Sequence, residues 1–269
     1  TICLEMDDWS NASIGTQNLA DLHIALGDLN AGAEAAREAL RLAQKAENQK
    51  GERTSLVWLA WAEHLRGETE AALAHFAEAE ALEKEISGDD YLSSIGGIFH
   101  TDTLLRSHAT PLPRSPAKTL EYARRITEAN LEICERNRWA DDLSMCHRVL
   151  GDLDAIEGQH TEARAHYDEA LRIARSISDR AVLIEALLAR GAHAGKTRVG
   201  LAEPPAGLLQ ALDLDQAFSD LREALDLATR GGYRRYEADI RVALAWAHRA
   251  ATPIPGPSPA GGGRERARA

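Results

Sequence analysis

The sequence is poor in the residues that build β-sheets, disulfide frameworks and membrane spans. Aromatic residues make up 5% of its 269 positions, and no stretch alternates polar and apolar residues as a half-buried strand would. The three cysteines, Cys3, Cys134 and Cys146, are odd in number and lack metal-type spacing, which argues against a disulfide framework. No apolar run approaches the roughly 20 residues of a membrane helix, and no secretory signal opens the chain. We therefore predict a soluble, cytoplasmic protein.

Basic residues are also in the minority. The 42 Asp and Glu residues outnumber the 31 Lys and Arg residues, which gives a net charge of −11. Such a chain repels nucleic-acid backbones and anionic membranes unless a local basic patch overrides the charge, and none is evident. We predict neither kind of partner. The chain starts at Thr1 within what reads as an ordered segment, which suggests a piece of a longer protein.

Prolines are confined to three places, at 111–116, 204–205 and 253–259. An interior proline costs a helix about 3 kcal/mol, so the long segments between these clusters are free to be helical. The prevalence of Ala, Leu, Glu and Arg agrees with this. We predict an all-α protein whose short helices are punctuated by turn glycines, at Gly27-Asp28, Gly67-Glu68, Gly88-Asp89, Gly158-Gln159 and Gly231-Gly232.

Three segments of the chain align with one another. They read NLADLHIALGDLNAGAEAAREALRLA, WLAWAEHLRGETEAALAHFAEAEALE and VLGDLDAIEGQHTEARAHYDEALRIA, and begin at Asn18, Trp58 and Val149. In each, a Leu-Ala or Leu-Gly pair precedes a turn glycine, and small residues follow at fixed offsets. Small residues are needed where helices approach closely, while Phe76 and Tyr167 fill the space between them. The offsets define a helix–turn–helix repeat.

This pattern resembles the tetratricopeptide repeat (TPR), although the period of 40 residues exceeds the usual 34. The resemblance implies a right-handed superhelical solenoid of antiparallel helix pairs. We expect about five pairs and an unpaired last helix within residues 1–251, and a disordered Pro/Gly/Arg-rich tail at 252–269. Two units are less regular: one spans residues 91–139, and the other pairs helices near 180–191 and 215–229. In the last helix, YEADIRVALAWAHRA, the apolar face of Ile240, Leu244 and Ala247 is expected to lack a covering partner.

The linear order also resembles the C-terminal TPR arrays of bacterial STAND-type signalling NTPases. The residues that carry this likeness are DDWSNASIGTQNLADLHIALGD, HFAEAEALE followed by YLSSIGG and TLLR, and GGYRRYEADIRVALAWAHRA. The resemblance implies a sensor or scaffold arm of a larger signalling protein, whose NTPase and effector domains would lie upstream.

The residues offer little for catalysis or cofactor binding. The segment GAHAGKT, Gly191 to Thr197, resembles a phosphate-binding loop, but only three residues separate its glycines and the preceding VLIEALLAR reads as helix, so a helix end capped by Gly191 or Gly195 is the simpler interpretation. The ten histidines are scattered, and no HExxH, CxxC or GxSxG occurs. We predict no enzyme, no metal and no cofactor.

A binding groove is the favoured function. In TPR arrays the first helices of successive repeats line the concave face, and by the repeat offsets that face would present Gln17, Asp21, Trp61, His64, Arg148, Asp152, Arg190, His193, Trp246 and Arg249. Trp and Arg suit protein interfaces, although Trp61 and Trp246 fit core positions equally well. TPRs that clamp a C-terminal carboxylate use Lys and Asn, which this set lacks.

We therefore predict a protein–protein interaction module that binds a protein or peptide. The alternatives are self-association through the uncovered last helix, or nucleotide binding at Gly191–Thr197. The pair Arg234-Arg235, with Tyr233 and Tyr236, is either a small anion contact or part of the packing of the final helix.

Overall fold

The computed structural model describes residues 7–107, 116–200 and 212–252, and every regular element in these ranges is an α-helix. The predicted all-α class is thus confirmed. The helices are α1 Trp9–Ala25, α2 Leu29–Lys45, α3 Gln49–Leu65, α4 Thr69–Ser87, α5 Ile95–Ser107, α6 Pro116–Asn137, α7 Ala140–Ile156, α8 His160–Ala174, α9 Arg180–Gly200, α10 Leu214–Gly231 and α11 Arg234–Ala251. Cys3 and the tail beyond Thr252 lie outside the described ranges. None of the described helices is both long and apolar enough to cross a membrane.

The chain reverses direction at the predicted glycines. Gly27, Gly67, Gly88, Gly158 and Gly232 all have a positive φ, between 74° and 85°, which a glycine adopts at little cost. The helix that follows the first of these turns begins with a side-chain cap, because the Asp28 carboxylate accepts a hydrogen bond from the Ala31 backbone N–H at 3.2 Å. These tight turns make each helix antiparallel to the next, so alternate helices run in the same direction.

The helices pack as consecutive hairpins, α1/α2, α3/α4, α5/α6, α7/α8 and α9/α10, followed by α11. The first helices α1, α3, α5, α7, α9 and α11 contact one another in that order. This arrangement is compatible with a helical repeat. The predicted small residues lie fully buried where helices meet, as Ala60 and Ala163 do, and Phe76 and Tyr167 are among the largest fully buried side chains.

The row of first helices curves back toward its start, because α11 also contacts α1. A Cβ placed on Gly27 would lie 3.3 Å from the Cβ of Arg234, and one on Gly232 would lie 3.9 Å from Leu26. The turn after α1 therefore meets the turn before α11. Because the first helices run in the same direction, α11 is offset from α1 by about one helix length, which is compatible with a helical repeat.

The expectation that the last helix has an uncovered apolar face is wrong. Ile240 and Ala247 are both fully buried, and Leu244 packs against the core. The cover comes from α9 and α10, which both pack on α11. Helix α9 can do this because it continues to Gly200, well past its predicted end near Gly191.

Gly191 and Gly195 lie inside α9 and do not cap its end, so that expectation is also wrong. A Cβ on Gly191 would lie 2.7 Å from Leu221 of α10, and a Cβ on Gly195 would lie 2.8 Å from the backbone nitrogen of Ala247. The two glycines are therefore contact points at which neighbouring helices approach the α9 backbone. The GAHAGKT segment has helical backbone throughout, and it does not form the phosphate-binding loop that its sequence resembles.

The substitution Gly195→Ala should destabilise the protein although alanine is the better helix former. The new methyl group would press on the Ala247 backbone, which cannot rotate away, at a cost of about 1 to 3 kcal/mol. Gly15 of α1 is the matched control, since its added Cβ meets nothing within 4 Å. Gly15→Ala should stabilise by about 0.5 to 1 kcal/mol. Urea denaturation of both variants measures this, and equal gains in stability would contradict the close contact.

Candidate functional site

The inner faces of the first helices line a cavity of about 680 Å³ that is open to solvent on one side. Its walls come from α3, α5, α7, α9 and α11, together with two residues of α8, His160 and Tyr167. The volume falls within the range of about 300 to 1,000 Å³ that is typical of small-ligand sites. The residues that line it are Trp61, Asp102, Leu105, Arg106, Arg148, Asp152, Ala155, Ile156, His160, Tyr167, Glu185, Leu188, Ala189, Ala192, His193, Lys196, Thr197, Arg235, Tyr236, Asp239, Val242 and Ala243.

One charged side chain from each of four successive first helices builds an ionic chain along the wall. The Arg148 guanidinium of α7 donates two hydrogen bonds to Asp102 of α5, at 2.9 and 2.6 Å. Its Nε lies 3.7 Å from a carboxylate oxygen of Glu185 in α9. Glu185 in turn accepts a hydrogen bond at 3.0 Å from Arg235 of α11. Charges of opposite sign thus alternate from helix to helix.

Aromatic rings connect the last residue of this ionic chain, Arg235, back to α5. The guanidinium carbon of Arg235 lies 5.7 Å from the ring centroid of Trp61 in α3, within reach of a cation–π contact. Trp61 stacks on Phe99 of α5, with centroids 4.3 Å apart and ring planes 9° from parallel. The contacts therefore return to α5, the helix that carries Asp102. We call the set Trp61, Asp102, Arg148, Glu185 and Arg235 the central ring.

Two tyrosines hold the carboxylates of this region in place. The Tyr167 hydroxyl donates to Asp152 at 2.8 Å, and the Tyr236 hydroxyl donates to Glu185 at 2.6 Å. Asp152 also accepts from Arg148 at 3.1 Å. Burial raises the pKa of both tyrosines well above the ordinary value, which keeps them protonated as donors. Burial also raises the pKa of Asp152, against the opposing effect of Arg148.

The pKa of Asp102 moves the other way. Burial alone would raise it, but the positive charge and hydrogen bonds of Arg148 outweigh the burial and hold the pKa below its ordinary value. Arg148 itself stays charged, because Asp102 and Glu185 raise its pKa although burial opposes them. Asp102 and Arg148 are therefore both charged at neutral pH, and their charges neutralise each other without a ligand.

Two histidines near the cavity are neutral at pH 7. Burial lowers the pKa of His64 to about 4, with a smaller contribution from Arg106. Burial, and then His160, lower the pKa of His193 to about 4. His64 stacks on Trp61 with centroids 5.4 Å apart. Both imidazoles thus add polar, uncharged surface at or beside the cavity.

Four of the ten groove residues predicted from sequence line this cavity, namely Trp61, Arg148, Asp152 and His193. Trp61 is also almost completely buried, so its predicted roles in core and groove are not alternatives. His64 lies beside the cavity, in contact with Trp61.

The other five lie elsewhere. Gln17 ties α1 to α3, donating to the Gly51 carbonyl and to Ser55 at 3.1 and 2.9 Å. Asp21 lies on α1, where burial raises its pKa and the charges of Asp179 and Arg235 act on it.

Arg190 joins three helices through ion pairs with Asp168 of α8 and Asp220 of α10, at 2.6 and 2.7 Å. Trp246 is 36% exposed, and Arg249 lies 5.8 Å from its ring. None of these three side chains contributes to the cavity lining.

Sequence reasoning missed two members of the central ring, Asp102 and Glu185, and gave Arg235 and Tyr236 only as a choice between anion contact and packing. Asp102 and Glu185 belong to the less regular repeats, where the offsets could not be carried over. A usable signal was present, since Asp102 and Arg106, Arg148 and Asp152, and Arg235 and Asp239 are each four residues apart, on one face of a first helix.

The carboxylates of the site are engaged by neighbouring side chains of the protein itself. Among the described residues, no group of three or more His, Cys, Asp or Glu side chains is placed to hold a metal ion. The carboxylate oxygens of Asp102 are both occupied by Arg148, and those of Asp152 by Arg148 and Tyr167. These groups therefore hold one another in fixed positions.

Comparison with known proteins adds no relative. No protein-family model matches the chain, and no curated protein matches it either.

Stability should fall as the pH is lowered from 6.5 to 4, and His64 should account for part of the fall. Its imidazole binds a proton below about pH 6.5 in the unfolded chain but only near pH 4 in the folded chain, so acid favours unfolding across this interval. The contribution is about 3 kcal/mol. In His64→Phe, which retains an aromatic ring beside Trp61, the pH dependence measured by urea denaturation should be shallower. Curves that run parallel for wild type and variant would contradict this.

Proposed function

We propose that this chain is a binding module, a TPR-like helical repeat that holds a segment of a protein or peptide in the cavity between its first helices. The observation that carries the proposal is the pre-organised interior surface. Arg148, Arg235 and Trp61 are fixed there by the central ring. Side chains of this kind dominate binding energy at interfaces, and a surface that needs no reordering loses little entropy on binding.

The size of the cavity limits what can bind. A concave face that is accessible along its whole length accepts a long extended peptide or a folded surface. Here the cavity measures about 680 Å³. We infer that the ligand inserts only a few residues, such as a chain end or a short loop.

From the sequence resemblance we further propose that the chain is a right-handed solenoid. It would serve as a sensor or scaffold arm of a larger cytoplasmic signalling protein, without catalytic activity of its own. Protein or peptide partners are favoured over nucleic acid and membranes by the net charge of −11.

Self-association is a second candidate, now on different grounds. The last helix no longer supports it, because its apolar face is covered. Helix α1 does, since four large apolar side chains are between 41% and 54% exposed along it, namely Ile14, Leu19, Leu22 and Leu26.

Filling the cavity should abolish peptide binding and leave the fold intact. Ala189 lines the cavity from α9, so Ala189→Trp places a large ring inside it. The matched control is Ala71→Trp, which adds the same ring at an exposed position of α4. Selection from a displayed library of random twelve-residue peptides should give binders to the wild type. Their affinity should be unchanged in Ala71→Trp and at least about tenfold weaker in Ala189→Trp.

Binders that tolerate Ala189→Trp would place the recognition surface outside the cavity. Circular dichroism and thermal melting of both variants verify that the ring was accommodated. Concentration-dependent sedimentation of the wild type, and of Leu22→Gln, tests the self-association candidate separately.

A further inference from the structure

The charges that line the cavity are equal in number. Four side chains are basic and four are acidic, and the neighbouring histidines His64 and His193 are neutral at pH 7. The basic residues are Arg106, Arg148, Lys196 and Arg235, and the acidic ones are Asp102, Asp152, Glu185 and Asp239. A ligand with a large net charge would therefore unbalance the site, whereas a ligand with no net charge would not.

Five of these eight charged side chains are paired with one another. Arg148 and Arg235 hold Asp102, Asp152 and Glu185 through the hydrogen bonds and ion pairs described above. A ligand that competed for these groups would have to break buried charge pairs, which costs several kcal/mol. The central ring is thus a preformed surface for the ligand to pack against, and its charges are not free to pair with charges of the ligand.

Three charged side chains remain for a ligand, Arg106, Lys196 and Asp239. None of them forms an ion pair with another side chain in the part of the chain that the structure describes. Arg106 and Lys196 are exposed and Asp239 is half-buried, so all three are accessible from the cavity. The available charges are therefore of both signs.

The three groups lie on the same side of the central ring. Arg106 is one turn beyond Asp102 on α5 and Asp239 is one turn beyond Arg235 on α11, while Lys196 is about three turns beyond Glu185 on α9. Because these alternate helices run in the same direction, each step takes the side chain toward the C-terminal end of its helix. Apolar side chains line the same stretch of the cavity, namely Leu105, Ile156, Leu188 and Val242.

We propose that the cavity takes a small zwitterionic ligand, a free short peptide whose carboxylate meets Arg106 and Lys196 and whose ammonium group meets Asp239. Apolar side chains of the peptide pack on the wall between them. An anion alone would leave Asp239 desolvated without a partner, and a cation alone would do the same to Arg106 and Lys196. The inference rests on the proposed function and narrows it from a segment of a partner to a whole, free molecule of a few residues.

The experiment uses an equimolar pool of tripeptides built from Ala, Val, Leu and Phe. The pool is prepared free, N-acetylated, C-amidated and with both ends capped, and retention by the 269-residue chain is measured by equilibrium dialysis with mass spectrometry. Each cap removes one charge and keeps the side chains. The proposal predicts that the free pool contains the best-retained members, and that either cap weakens them about tenfold.

Substitutions assign each end to its partner. In Asp239→Asn the free and N-acetylated forms of a retained peptide should bind equally, because the group that reads the ammonium is gone. In the double variant Arg106→Gln with Lys196→Gln the free and amidated forms should bind equally. Lys50→Gln and Glu132→Gln change exposed charges outside the cavity, and both should keep the wild-type discrimination.

Two results would overturn the proposal. Retention that is the same for free and capped pools would show that the ends are not recognised, and it would leave the cavity-binding function standing. Failure to retain any pool would also overturn it. The displayed twelve-residue peptides and Ala189→Trp then decide the proposed function independently, since those peptides are fused at one end and need not be zwitterionic.

Discussion

Arg148 is the residue on which the interior of this array depends, because its guanidinium contacts side chains of three first helices. It donates to Asp102 of α5 and Asp152 of its own helix, and it lies beside Glu185 of α9. A buried guanidinium is costly unless its donors are satisfied, and each of these carboxylates would be costly without it. The pairing fixes α5, α7 and α9 in one register. Glu185 then pairs with Arg235, so the alternation of charge continues to α11. The interior surface is consequently built by the fold before any ligand arrives.

The packing that brings α11 to α1 depends on small residues as much as on charge. Gly151 of α7 lies against the Tyr167 ring, where a Cβ would be 2.6 Å from a ring carbon, and Gly195 of α9 lies against the backbone of Ala247. These contacts bring successive helices close enough for α11 to cover α9 and to meet the turn after α1. The charged inner faces of α5, α7, α9 and α11 thus line a common cavity, with Asp102 and Arg148 buried in its wall.

Local features of this fold were readable from the sequence, and non-local ones were not. Turn glycines such as Gly27 and Gly158 act through their own backbone dihedrals, so composition and spacing sufficed to place the helices between them. The repeat offsets likewise predicted that Trp61 and Arg148 lie on the inner face of the array. The pairing of Arg148 with Glu185, however, joins repeats whose sequences differ. Position 195 requires glycine because the backbone of α11 packs against it. Both depend on which helices become neighbours, which periodicity alone does not specify.

The contact of α11 with α1 is tested most directly by a distance. Spin labels at two exposed positions on either side of the contact, Asn30→Cys and Arg234→Cys, in a chain whose native cysteines are replaced by alanine, report it by pulsed electron resonance. The contact predicts a single narrow distribution centred below about 25 Å, since the two turns touch and only the label linkers separate the spins. First helices packed in a straight row at about 8 to 10 Å per step would place α1 and α11 about 40 to 50 Å apart. A distribution centred there would contradict the curvature that brings the first helices around the cavity, and with it the ligand site.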